Sequence, residues 1–211
     1  MSASLDPSPR ETYHHGDLRT ALLDVAETLL DEGGPEAVSL REAARRAGVS
    51  PTAAYRHFAD KESMQAALAV RGFDAFAASL AEAASSEPDE PLSAMGQAYV
   101  RFAVARPGRF RLMFGTAVAE RERHPELKAA VERASLGFRG AVGSSEPDEH
   151  VLAMLRAWSM IHGLAQLAID GMLPGYDPEL LARAVTTKKL PASTTSRQKT
   201  SSKGAGPRAS K

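Results

Sequence analysis

The sequence predicts an all-α protein built from two helical units that share one helix. Three observations carry this. Apolar residues recur at helical spacing from Leu18 to Val185, with no run of strand-like alternation. Residues that start and stop helices punctuate the pattern at short intervals. The stretch from Ser39 to Lys61, SLREAARRAGVSPTAAYRHFADK, compresses two short helical patterns and a tight turn, which is the signature of a helix-turn-helix.

Taken in order, the first helix is predicted over Asp17–Glu32. Leu18, Leu22, Val25, Ala26, Leu29 and Leu30 form its apolar stripe. Gly33-Gly34-Pro35 ends it. In the next helix Ser39 and Glu42 have the spacing of a capping box, each side chain taking a free backbone N–H of the other. Leu40, Ala43, Ala44 and Ala47 make its apolar face, and Arg41, Arg45 and Arg46 lie off that face. Gly48 suits the left-handed position past a helix end. Ser50 is an N-cap with Pro51 at the first helical position. The helix from Pro51 to about Phe58 carries Ala54, Tyr55 and Phe58 at inward-compatible spacing. In such a motif the second helix commonly enters the DNA major groove.

Asp60 caps a long helix through Met64, Leu68, Phe73, Phe76 and Leu80, which fades into SSEPDEP. The amino-terminal unit is near the size where a core is marginal alone. This helix is therefore expected to serve both units, starting at one site and ending in the other core. Ser93–Arg106, Arg109–Glu122, Pro125 to about Val142, Asp148–Leu173 and Pro178–Val185 are the remaining predicted helices. Within Arg109–Glu122, Phe110, Met113, Phe114 and Ala117 fall on one face. The Pro- and Ser-rich start and the Ser/Thr/Lys/Gly/Pro mixture after Val185 are expected to be disordered. The domain reading is an arm at 1–12, a helix-turn-helix unit at 13–62, a second helical unit at 63–185, and a basic tail at 186–211.

Composition narrows the function. A chain of 211 residues with 43% hydrophobic content can bury one good core or two small ones. It has no cysteine, which removes disulfides, thiolate chemistry and zinc–sulfur sites. The opening MSASLDPSPRETYHH is no secretory signal. No uninterrupted apolar run approaches the roughly 18 residues of a membrane span. The expectation is a soluble, cytoplasmic protein with no membrane partner. His14 and His15 are adjacent and cannot share a helix face, so no metal is expected. With no GxSxG, GxxxxGK[ST] or GxGxxG motif and no nucleophile–base set, neither an enzyme nor a cofactor is expected.

The formal charge of zero is uneven: residues 1–70 carry a net −4, residues 71–185 a net −3, and the tail a net +7. Within Ser39–Lys61, five basic residues (Arg41, Arg45, Arg46, Arg56, Lys61) stand against Glu42 and Asp60, a local +3. Phosphates would meet that patch, with the acids of residues 17–36 expected to face away.

The order AGVSPTAAYRHFADK resembles the recognition-helix region of the tetracycline-repressor-like (TetR) family of bacterial regulators. Gly48, Val49, Ser50, Tyr55, His57, Phe58 and Lys61 match its pattern. YHHGDLR, from Tyr13, is similar to the lead-in of one branch. AWSMIHGL, with Trp158, His162 and Gly163, and PGRFRLMF, from Pro107, resemble a subgroup named for its Trp-His-Gly residues. Together these resemblances cover roughly residues 13–185, dense up to Lys61 and sparser beyond.

The resemblance implies a DNA-binding, ligand-responsive homodimer, expected to be a repressor on a palindromic operator. Ser50 opens the recognition helix. Tyr55, His57 and Lys61 would contact phosphate or sugar; the bland alternatives are a core aromatic for Tyr55 and a solvated charge for Lys61. Arg41, Thr52, Ala53 and Arg56 would face bases or the adjoining phosphates, and Arg45 and Arg46 phosphates. Phe102, Phe110, Met113, Phe114, Trp158 and His162 are candidates to line a small-molecule cavity, against the alternative of plain core. A rival reading is a helical ligand-binding or protein-interaction module that has lost sequence-specific DNA binding.

Overall fold

A computed structural model of the protein describes residues 15–118, 120–142 and 147–187. The expectations for the amino-terminal arm, for Tyr13 and His14, and for the tail beyond residue 187 lie outside the described residues. The all-helical expectation holds: nine α-helices and two single 3₁₀ turns, with no strand among the described residues.

The first unit comprises α1 (His15–Ala37), α2 (Leu40–Arg46), α3 (Pro51–Tyr55) and the start of α4 (Lys61–Ser86). Leu22, Ala26, Leu29 and Leu30 of α1, with Leu40, Ala43, Ala54, Phe58 and Met64, close its core. Helix α1 breaks at the Gly-Gly-Pro sequence, as expected. Gly34 leaves helical geometry at φ 71°, a left-handed value that glycine tolerates, and a last turn resumes behind Pro35. Buried Gln65 of α4 ties this bend down by donating to the Pro35 carbonyl at 2.8 Å.

The α2–α3 turn is as its sequence suggests. Gly48 (φ 71°) donates to the Arg45 carbonyl at 3.2 Å and Val49 to that of Ala44 at 2.9 Å, a Schellman closure. The Ser50 side chain accepts from the Ala53 N–H at 3.2 Å, with Pro51 as the first helical residue. Helix α3 is shorter than expected and stops at Tyr55.

The expected capping box at Ser39 is not formed. Ser39 is the N-cap by backbone conformation, but its side chain makes no cap bond. Glu42 is bound instead by Arg45 and Arg46. A capping box does form one helix later, where Asp60 Oδ1 accepts from the Ser63 N–H at 2.7 Å and Ser63 Oγ accepts from the Asp60 N–H at 3.1 Å.

The second unit packs α5 (Pro91–Ala105), α6 (Pro107–Phe114), α7 (Pro125–Ala141), α8 (Pro147–Ile169) and α9 (Pro178–Thr186) around the rest of α4. Helix α4 lies between α5 and α7, and α5 in turn packs on α8 and α9. The helix expected over Arg109–Glu122 ends at Phe114. Gly115 is extended, and a Cβ there would lie 2.3 Å from the Arg111 carbonyl oxygen. The 3₁₀ turns Thr116–Val118 and Arg121–Arg123 follow.

Helix α8 ends at Ile169, not Leu173, because Gly171 (φ 69°) and Met172 close a second Schellman motif on Ala168 and Leu167. By length and composition, Glu149–Ile169 is apolar enough to cross a membrane, which the count of uninterrupted apolar residues missed. Its apolar residues divide between two faces. Ala157, Ile161 and Ala165 are buried, whereas Val151, Leu152, Leu155, Met160 and Leu167 are exposed.

The two units are joined by more than α4. Helix α6 packs on α1 so closely that a Cβ on Gly108 would stand 2.3 Å from the Leu30 carbonyl oxygen. Arg109, nearly buried, reaches Glu27 at 3.1 Å, Arg106 reaches Asp31 at 3.3 Å, and Arg71 reaches Asp24 at 2.7 Å. At the far side, Arg123 and His124 converge on Glu62 in the first turn of α4, at 3.4 and 3.1 Å.

Candidate nucleic-acid interface and interior cavity

The outer face of the helix-turn-helix brings most of the anticipated residues together. Arg41, Ser50, Thr52, Tyr55 and Arg56 are exposed; Ala53 and His57 are half-buried beside them. Tyr55 was expected at inward-compatible spacing, but its side chain is 48% exposed and Ala54 and Phe58 take the inward positions. The aromatic ring is therefore on offer to a partner and is no part of the core. Ser50 has its oxygen engaged in the α3 cap.

The charge pattern differs from the expectation that the acids of α1 face away. Glu42 accepts two bonds from Arg45, at 2.8 and 2.6 Å, and one from Arg46 at 2.8 Å. Those bonds, Arg45 first, hold the Glu42 carboxyl down to about 2. Arg46 also forks onto Glu32 at 2.9 and 2.8 Å, which lowers the Glu32 carboxyl. Lys61 sits against Glu36, its Nζ 3.2 Å from the carbonyl oxygen and 3.4 Å from Oε2. Arg45, Arg46 and Lys61 are thus paired within the protein. Among the described residues, the side chains of Arg41 and Arg56 make no hydrogen bond or ion pair, so they are the cations of this face left for a phosphate or a base.

A cavity of about 250 Å³ lies in the second unit between α4, α5, α6, α7 and α8. Phe73, Phe76 and Leu80 of α4, Tyr99, Phe114, Phe138, Met154 and Trp158 supply most of its wall, with Arg121, Ser135 and Arg139 as polar members. Of the six aromatic, Met and His residues singled out from the sequence, Phe114 and Trp158 line it. The other four do not. Phe110 and Met113 are fully buried core, and Phe102 packs edge-on against Phe76 at 5.1 Å.

His162 stands one residue behind the wall. Its Nδ1 is 2.8 Å from the Tyr99 hydroxyl, and its ring stacks on Phe110 at 5.3 Å. Burial pushes the His162 imidazole down and the Tyr99 phenol up. The Tyr99 hydroxyl and His162 Nδ1 share one hydrogen bond whose donor is set by the imidazole tautomer. The same oxygen accepts from Trp158 Nε1–H at 3.2 Å. Trp158, Tyr99 and His162 are linked through the Tyr99 oxygen, which is engaged on both sides. Sequence reasoning missed Tyr99, Arg121 and Arg139, which come from separate elements and meet only in the folded chain.

Two family models match. Residues 22–68 match the model described as bacterial regulatory proteins, tetR family, and residues 92–188 match the tetracyclin repressor-like C-terminal domain. A solved protein of unknown function from Rhodococcus sp. RHA1 is 32% identical, with TM-score 0.64, over 84% of this chain and 95% of that one. The uncharacterized HTH-type transcriptional regulator Rv0681 of Mycobacterium tuberculosis H37Rv is 24% identical over 164 residues, 76% of this chain and 74% of its own length. The HTH-type transcriptional repressor KstR2 of Rhodococcus jostii RHA1 is 40% identical over 67 residues, 32% of each chain. With a helix-turn-helix that leaves two arginines and a tyrosine outward, and matched models over both units, the chain belongs to the TetR family of transcriptional regulators.

Proposed function

We propose that this protein is a repressor that binds a near-palindromic operator as a homodimer and is released when a small molecule enters the second unit. One observation carries the reading: α4 is continuous from Lys61, at the edge of the helix-turn-helix, to the Phe73, Phe76 and Leu80 wall of the cavity. A ligand that changes the packing of those rings acts on the helix that supports the DNA-facing turn. Coupling of this kind is about 1–3 kcal/mol, a roughly 5–150-fold loss of DNA affinity on induction.

The boundary between the units is drawn at 62/63. Arg41, Ser50, Thr52, Ala53, Tyr55, Arg56, His57 and Lys61 make the DNA contacts, with Arg41 and Arg56 the leading pair. Lys61 must leave Glu36 to reach a phosphate. Phe114 and Trp158 serve the ligand. The second unit is of the Trp-His-Gly type, with Trp158 and His162 holding Tyr99 in the cavity wall.

Dimer formation is supported by the exposed face of α8 and α9. Only 17% of the most apolar window of Glu149–Ile169 is buried within one protomer, and Leu180 and Val185 of α9 are exposed beside it. A two-fold pairing of α8 and α9 would cover these residues and fix the spacing of two recognition helices. The site of action is the cytoplasm.

Mobility-shift titration of DNA from upstream of the gene tests this, with Tyr55→Ala and Arg56→Ala as paired variants. Tight wild-type binding lost in both variants is the expected result. The pairing of Arg45, Arg46 and Lys61 with carboxylates favours the rival reading of a module that no longer binds DNA. Wild-type binding no tighter than to unrelated duplex would establish that rival instead.

A further inference from the structure

Among the described residues ten arginines hold a carboxylate and six, Arg19, Arg41, Arg56, Arg121, Arg139 and Arg156, do not. Of these six, Arg121 and Arg139 line the cavity. Among the described residues no Asp or Glu lines it. Surface grooves elsewhere differ: those beside Ser86, Leu127 and Pro178 carry Glu82 and Glu87, Glu126, and Asp177 and Glu179. Half-buried Arg121 and exposed Arg139 thus put two unneutralised guanidiniums on the rim of an apolar chamber, where an anion can meet both.

The remaining polar atoms of the chamber point the same way. The Tyr99 oxygen is engaged by Trp158 on one side and His162 on the other. Ser135 donates its proton to the Glu132 carbonyl at 2.9 Å. The two guanidiniums are the charged donors of the wall, so a ligand that brings acceptors fits it. Arg121 is already oriented: Nη2 donates to the Met113 carbonyl at 3.2 Å, and the group lies 5.7 Å from the Phe73 ring centroid. Its other N–H groups are available for a bidentate acceptor. At roughly 30 Å³ per water-sized group, the chamber takes a ligand of on the order of ten non-hydrogen atoms.

We propose that the cavity binds an apolar monocarboxylate, with its carboxylate on Arg121 and Arg139 and its body among the rings of Phe73, Phe76, Phe114 and Trp158. The proposal rests on reading this cavity as the effector site and names the class of effector.

Trp158 is the single tryptophan of the chain and lines the cavity, so its emission reports occupancy directly. The full-length protein is titrated with octanoate, 1-octanol and octylammonium, which share one tail and differ in the head. Octanoate is expected to saturate the emission change about tenfold more tightly than 1-octanol, with octylammonium weakest. Arg121→Gln and Arg139→Gln are expected to abolish the preference for octanoate while octanol binding stays as in wild type. Arg139 is exposed and unpaired, so Arg139→Gln keeps the test valid if Arg121→Gln fails to fold. Equal binding of octanoate and octanol, tighter octylammonium, or a preference retained in Arg139→Gln would overturn the proposal. Octanoate binding through the two arginines without DNA release would uphold it and refute the effector reading instead.

Discussion

Removing one carboxylate should make this protein bind DNA more tightly. Glu42 takes both bonds that Arg45 makes, at 2.8 and 2.6 Å, whereas Arg46 keeps a separate fork onto Glu32 at 2.9 and 2.8 Å. Glu42→Gln therefore frees one guanidinium, that of Arg45, and raises the local charge by one. Changing pH cannot substitute for the mutation, because the two arginines hold this carboxyl down to about 2 and it stays ionised in any usable buffer. One added phosphate contact steepens the dependence of log affinity on log salt by about 0.9. Between about 50 and about 200 mM KCl, the variant should then lose about 3.5-fold more affinity than wild type, from a higher start at low salt. Fluorescence anisotropy on a labelled duplex across that range measures both quantities. An unchanged slope with unchanged or weaker low-salt affinity would mean that the α2 arginines do not face DNA.

Gly108→Ala sets a Cβ 2.3 Å from the Leu30 carbonyl oxygen; overpacking of this kind costs about 1–3 kcal/mol, and an unchanged melting temperature would refute the close α1–α6 contact. Burial lowers His162 from its ordinary 6.5, so below that pH the unfolded chain takes up a proton that the folded chain resists. Its contribution is whole above pH 6.5 and is lost as pH falls toward the depressed value. Urea titrations from pH 7.5 to 5 should show that slope flattened in His162→Gln, and identical slopes would discount it. Leu155→Glu puts a charge on the exposed face of α8 and should yield monomers in sedimentation at micromolar concentration, while a persistent dimer would move the interface elsewhere.

What could be read from the sequence was what adjacent residues decide among themselves. Gly48, Ser50-Pro51 and Asp60 are backbone solutions complete within four or five residues, and each is formed as its residue type suggested. Ser39–Glu42 has the same spacing yet fails, because Glu42 has two arginines on its own helix to choose over a backbone N–H. A carboxylate gains more from two cationic guanidinium donors than from one neutral backbone N–H. Tyr55 shares a helix with buried Ala54, and over a single turn the apolar pattern is too short to tell which face turns inward.

The cavity was legible only in part for a related reason. Phe110, Met113 and Phe114 share one face of α6, but that face meets both the core and the cavity edge, and only Phe114 reaches the latter. Which arginines lack an acid depends on partners 59 to 82 residues away, as for Arg133 with Asp74 and Arg109 with Glu27. No local pattern carries that information.

Selection of bound sequences from a randomised duplex pool with the purified full-length protein shows whether the α2–α3 face reads DNA sequence as a two-fold pair. Enrichment of a near-palindrome is expected, with both half-sites lost when Arg41 and Arg56 are replaced by alanine. Enrichment of a single unpaired site would contradict the dimer, and no enrichment at all would contradict sequence-specific DNA recognition by the α2–α3 face.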